Sequence, residues 1–193
     1  MSARKLLNSY LQECPLIAII RGVTPDDAAG IGDAIFEGGI RIIEVPLNSP
    51  DPLKSIDILA GKFGDTMLVG AGTVLAPGDV ERVRDSGGRI IVSPDTNTEV
   101  IAAAAGACLV SCPCYFTPSE AFAAIRAGAS GLLIGADVRI GLTEPMGAEV
   151  VVIGRPDLTK LYAVAVGQSN RTAIEIDGEQ CFIAGIKEIA RRI

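Results

Sequence analysis

Three polar side chains stand where apolar runs come to an end. Arg21 follows Leu16–Ile20, Glu44 lies inside Ile42-Ile43-Glu44-Val45-Pro46-Leu47, and Thr73 closes Gly70-Ala71-Gly72. A carboxylate inside a buried strand costs several kcal/mol unless it is paired or protonated, so the pKa of Glu44 should rise or a cation should meet it. A raised Glu is a usable general acid and base near neutral pH. The competing reading is a structural ion pair, with Arg21 as partner. Arg21 can instead grip a carboxylate or phosphate through two parallel hydrogen bonds. Thr73 offers a hydroxyl next to glycines that let a ligand approach the backbone, or it is an ordinary strand-end turn. Pro94 and Pro113 close the two later apolar runs.

These residues need a frame that brings strand ends together. Apolar runs begin at Leu16, Ile40, Met67, Arg89, Ala107 and Gly131, with starts 24, 27, 22, 18 and 24 residues apart. Each run is short, β-branched and nearly continuous, as a strand buried on both faces requires, which predicts a parallel sheet. Helix start signals fall between the runs. Thr24-Pro25-Asp26-Asp27, Ser49-Pro50-Asp51, Ala76-Pro77-Gly78-Asp79 and Asn97-Thr98-Glu99 each combine a cap, a proline or acids. Thr117-Pro118-Ser119-Glu120 is a capping box. Gly38-Gly39, Gly87-Gly88 and Gly128 suit left-handed helix ends.

A repeating strand–helix unit builds either a barrel or a doubly wound sheet. No GxGxxG follows the first strand, so the dinucleotide fold lacks its phosphate loop. The expected fold is a single-domain α/β parallel (β/α) barrel of the TIM type, with its site at the C-terminal strand ends. The beat fails after residue 136. Glu149–Ile153, Leu161–Val166 and Thr172–Ile176 are separated by segments too short for a crossover helix, which predicts antiparallel strands over 137–193, followed by a helix over Gly178–Ile193. A full eight-unit barrel takes about 200 residues or more, so this one is expected to be incomplete or irregular after its sixth strand.

Composition excludes several classes. The 193 residues carry a net charge of -6, which argues against nucleic-acid binding. Leu16–Ile20 is too short for a signal or membrane segment. An odd count of five Cys with no such signal reads as reduced and cytoplasmic. Cys112 and Cys114 lie two positions apart in a chain without His, and read as buried thiols rather than zinc ligands. A divalent cation on Glu44 and Asp137 could polarise a keto group, but two carboxylates are a thin ligand set and no metal is expected.

The same residues carry a family resemblance. Pro15–Pro25 with Arg21, Ile43-Glu44-Val45-Pro46-Leu47-Asn48-Ser49-Pro50, Val69–Leu75 with Thr73, Ile91–Pro94 and Thr117–Ala121 occur in the order and spacing of the 2-keto-3-deoxy-6-phosphogluconate/phosphogalactonate aldolases. The resemblance covers roughly residues 12 to 132. The Glu-Val-Pro-Leu-Asn-Ser-Pro form resembles the phosphogalactonate branch; the phosphogluconate branch has a Thr-Leu-Arg type sequence there. The resemblance implies a cofactor-free, cytoplasmic, trimeric class I aldolase that cleaves a sugar acid phosphate to pyruvate and glyceraldehyde 3-phosphate. A strand-six Lys would form the Schiff base. Glu44 would be the acid/base, Arg21 and Thr73 would hold the pyruvate carboxylate, and Pro94 would line the pocket. Leu133 occupies the Lys position, and a Leu side chain cannot form an imine. The phosphate-binding glycine turns are absent; Val166–Asn170 is at best a remnant. Lys160 is the one other Lys placed near a strand rim. The alternative is a non-catalytic barrel that binds a keto acid or sugar phosphate, or an oligomeric scaffold.

Overall fold

A computed structural model describes residues 1–134, 149–152 and 163–165. Six helices and six strands alternate along the first part: α1 (Ala3–Glu13), β1 (Leu16–Ile19), α2 (Pro25–Glu37), β2 (Ile42–Pro46), α3 (Pro52–Phe63), β3 (Leu68–Gly72), α4 (Pro77–Asp85), β4 (Ile90–Ser93), α5 (Thr98–Gly106), β5 (Val110–Tyr115), α6 (Pro118–Ala127) and β6 (Leu133–Ile134). Strands β1 to β6 are consecutive parallel neighbours, so the chain winds a curled half-barrel. Two further strands, β7 (Glu149–Val152) and β8 (Ala163–Ala165), extend the other edge as an antiparallel pair added to β1. No closed ring is formed among the described residues. Among them, too, no helix is long and apolar enough to cross a membrane.

The strands are continuous in hydrophobicity because both faces are covered. Ile43, Val45, Val69, Ala71 and Ile91 face the helices, in one cluster with Ala28, Ile35, Ile56, Leu59, Val80 and Val100. Ile17, Ile42, Leu68, Ile90, Val92, Val110, Cys112 and Leu133 face the concave interior. Leu7 and Tyr10 from α1 complete that inner cluster, so the N-terminal helix plugs one mouth of the half-barrel. The sequence carries little sign of α1, which has a single capping serine and no proline. Ser2 accepts from the Lys5 backbone N–H.

Helix starts differ in detail from the sequence expectations. The Thr117 box forms as expected: Thr117 accepts from the Glu120 N–H while Glu120 accepts from the Thr117 N–H. Thr24 instead turns its hydroxyl to donate to Asp27 Oδ2 at 2.7 Å, leaving no side-chain cap on α2. Helix α3 begins later than Ser49, at Pro52, because Asp51 sits in the left-handed region at φ 41° and ends the preceding turn.

The α1 plug makes a test. Leu7→Ala is expected to cost about 2–5 kcal/mol in urea unfolding, the loss for a buried leucine that leaves a cavity. Leu75→Ala, on a side chain 53% exposed, should cost less than about 0.5 kcal/mol.

Candidate functional site

Hydrogen bonds between loops carry the parallel ladder past the strand ends and set the rim. The Ile20 N–H donates to Glu44 O at 3.1 Å, Leu47 N–H to Gly72 O at 2.9 Å, and Val74 N–H to Val92 O at 3.2 Å. These bonds line up Arg21, Asn48, Thr73 and Pro94 on successive strand ends. Glu44 points to the concave side, in phase with Ile42 two residues before it. It is 3% exposed, and its Oε2 has no hydrogen-bond partner. Its Cα register partners are Ile19 on β1 and Gly70 on β3.

Room for the carboxyl comes from Gly72, where a Cβ would collide with both carboxyl oxygens of Glu44. Thr73 follows at φ 57°, a left-handed conformation that is costly for a β-branched residue. That strained backbone turns the chain at the rim beside the carboxyl. Pro94 is half-buried directly after Ser93, the last residue of β4.

Burial dominates the electrostatics. Loss of solvent raises the Glu44 pKa from the ordinary 4.5 to about 8, and the Arg21 charge and a backbone hydrogen bond from Gly72 only partly oppose it. The guanidinium of Arg21 acts from a distance: its Nη1 donates to Asn48 Oδ1 at 3.1 Å instead of closing on the carboxyl. The structure thus favours a protonated Glu44 over a tight ion pair. Cys114, on β5, is raised to about 11 by burial and then by the negative charges of Asp95 and Glu44. Burial pushes Cys112 up to about 12. Both thiols stay protonated near neutral pH and are poor nucleophiles there.

Leu133 pairs in register with Cys114 and joins the inner cluster at 8% exposure. A side chain at this position therefore enters the same concave face as Glu44, and here it is apolar. The described lysines lie elsewhere. Lys5 is exposed on α1, Lys54 pairs with Asp57 on α3, and Lys62 pairs with Asp33 across α3 and α2. Lys160, Asp137, Val166–Asn170 and Cys181 lie outside the described residues. Sequence reasoning missed Asn48 as a contact of Arg21 and Gly72 as the residue that makes room for Glu44. The Gly70-Ala71-Gly72 stretch at the end of an apolar run was the available signal for the second.

The raised Glu44 pKa fixes the sign of a pH dependence. The folded state holds the proton more tightly than the unfolded chain. Stability from this group is therefore fully present below about pH 4.5 and is lost as pH rises through about 8. Urea midpoints of the wild type should fall across that window, and Glu44→Gln should flatten the fall. An equally steep curve in the variant would remove Glu44 as its source.

Comparison with known proteins gives this geometry a context. Residues 7–143 match the family model described as KDPG and KHG aldolase. Residues 116–189 also match a second model, 2-keto-3-deoxy-galactonokinase, so the two matches overlap over 116–143. A probable 2-dehydro-3-deoxy-6-phosphogalactonate aldolase of Rhizobium meliloti (strain 1021) is 51% identical over 120 residues, covering 62% of this chain and 57% of the relative. The chain thus spans somewhat over half the length of that protein. A solved structure titled native KDPGal is 42% identical, with a TM-score of 0.64 over 67% of this chain and 63% of that one. The KDPG aldolase of Legionella pneumophila, solved with pyruvate captured as a covalent carbinolamine, is 29% identical with a TM-score of 0.59, over 66% and 60% of the two chains. Since the aldolase model takes in well over half of its 193 residues, the chain belongs to the KDPG and KHG aldolase family.

Proposed function

We propose that this chain carries the keto-acid-binding and proton-transfer part of a 2-dehydro-3-deoxy-6-phosphogalactonate aldolase site, without the imine-forming amine at position 133. The carrying observation is the buried Glu44 with its pKa near 8, set on the concave face behind a rim that holds Arg21 and Thr73. A carboxyl of that pKa keeps its proton at neutral pH. It can donate the proton to a keto oxygen or carbon centre and take it back in the next step. Arg21 keeps unused N–H groups for a substrate carboxylate, the Thr73 hydroxyl adds a second contact, and Pro94 lines the pocket.

Cleavage of the carbon–carbon bond needs an electron sink for the departing carbanion. In a class I aldolase the sink is a protonated imine, which requires a primary amine. Leu133 offers none, so the site is expected to bind the keto acid without turning it over. The ligand class is supported by the aldolase relatives, which are named for 2-dehydro-3-deoxy-6-phosphogalactonate. The proposed assembly is a trimer, for which exposed Phe116, Phe122 and Ile125 supply apolar surface to bury.

Borohydride trapping separates the readings. The wild type, incubated with pyruvate and borohydride and weighed by mass spectrometry, is expected to bind pyruvate in calorimetry yet show no reduced adduct. Leu133→Lys should acquire one, mapped to residue 133. A wild-type adduct mapped to Lys160 would establish an imine-forming amine elsewhere and overturn the reading of a site that binds without covalent chemistry. Failure of the wild type to bind pyruvate at all would end the keto-acid reading.

A further inference from the structure

The loop after β2 reaches back to the end of β1 through two side chains. Asn48 Oδ1 accepts from Arg21 Nη1 at 3.1 Å, and Ser49 Oγ accepts from the Gly22 N–H at 3.0 Å. Ser49 is 7% exposed, and Gly22 takes the left-handed conformation at φ 77° that aims its N–H at the serine. The loop is itself pinned: the Leu47 N–H donates to Gly72 O and the Ser49 N–H to Pro46 O, both at 2.9 Å. Asn48 therefore stands on a backbone fixed on both sides. Arg21 is only partly buried, at a strand end facing solvent. A long side chain so placed samples many rotamers unless an acceptor holds it.

We propose that Asn48 is the positioning residue of this site, holding the Arg21 guanidinium at the rim so that its free N–H edge serves the substrate carboxylate. The proposal rests on the keto-acid reading for its ligand and on the structure alone for its geometry. Asn48 takes one N–H of the planar fork and leaves four, enough for a two-bond grip on a carboxylate. A carboxylate in place of the amide would also fix the arginine, but its charge would oppose an anionic ligand. A neutral acceptor orients the cation without neutralising it.

Holding Arg21 has a second consequence, because its charge also acts on Glu44. The groups that act on the Glu44 carboxyl are Arg21 from the β1–α2 loop and the Gly72 backbone from β3. Cys114 on β5 feels the Glu44 charge in turn, with Asp95 beyond it. Arg21 is the cation in that set, so releasing it should raise the Glu44 pKa.

The experiment uses the full chain with 13C-labelled glutamate. The Glu44 δ-carbon is titrated by NMR, and pyruvate binding is followed by calorimetry, in wild type, Asn48→Ala, Arg21→Ala and the double variant. Asn48→Ala is expected to move the Glu44 midpoint upward, toward that of Arg21→Ala, and to weaken pyruvate binding about 2- to 10-fold. The double variant should be no worse than Arg21→Ala alone. If Asn48→Ala does not fold, Asn48→Ser keeps a turn-forming side chain without the reach to Arg21 and should give the same result. An unmoved Glu44 midpoint, or losses that multiply in the double variant, would overturn the positioning role. The titration needs no ligand, so it decides the role of Asn48 even if wild type binds no pyruvate and the keto-acid reading falls.

Discussion

Removing one carboxyl from water is the constraint around which the described site is arranged. Glu44 occupies an inward position of a central strand, in phase with Ile42 and between Ile19 on β1 and the bare backbone of Gly70 on β3. No close charge neutralises it: Oε2 is unpartnered, and the Arg21 guanidinium is bonded to Asn48 instead. The physical outcome is a proton held well into the neutral range. Gly72 follows from the same constraint, since any side chain there would occupy the carboxyl's volume. The high pKa of Cys114 owes most to its own burial, with the charges of Asp95 and then Glu44 adding to it. A site with a charged, paired Glu44 would have needed Arg21 closer and the carboxyl less sensitive to pH.

Much of the frame was legible because its strands are buried on both faces. Such strands must be apolar at every position, and that signal survives in a single sequence. Glu44 was legible for the same reason, as a charge that broke the run. The α1 plug was not, because a helix with only Leu7 and Tyr10 buried looks like a polar terminus until the inner face it covers is known. Cap chemistry was legible only where it is reciprocal. Thr117 and Glu120 specify each other, whereas the Thr24 hydroxyl had two acceptable partners and took Asp27. The Arg21–Asn48 contact joins residues 27 positions apart on neighbouring loops. Its geometry depends on the parallel register of β1 and β2, which periodicity does not reveal. The left-handed turn at Thr73 was hidden as well, since a β-branched residue is a poor signal for positive φ.

The failure of the regular beat after residue 136 has a counterpart in the family matches. Two models overlap on 116–143, and the kinase-type match continues to 189 where the aldolase match has stopped. Helix α6 lies inside the overlap. A helix can satisfy either pattern, because its signals are local: the Thr117–Glu120 box at one end and Gly128 at φ 102° at the other. Strand β6 lies inside the same overlap. Within the described residues, β6 pairs in register with β5 at Leu133 and Ile134.

Under the proposed function, binding and cleavage draw on different strands of this fold. Arg21, Glu44, Thr73 and the space at Gly72 come from β1, β2, β3 and their loops, which pair in register. Leu133, by contrast, belongs to β6, at the far side of β4 and β5. As a leucine, this side chain adds an aliphatic group to the inner cluster and brings no charge into a dry interior. Under that reading a half-barrel keeps its acid/base and carboxylate rim without the covalent step, because the ladder that carries Arg21, Glu44 and Thr73 runs through β1, β2 and β3, while Leu133 meets them only as one member of the inner cluster.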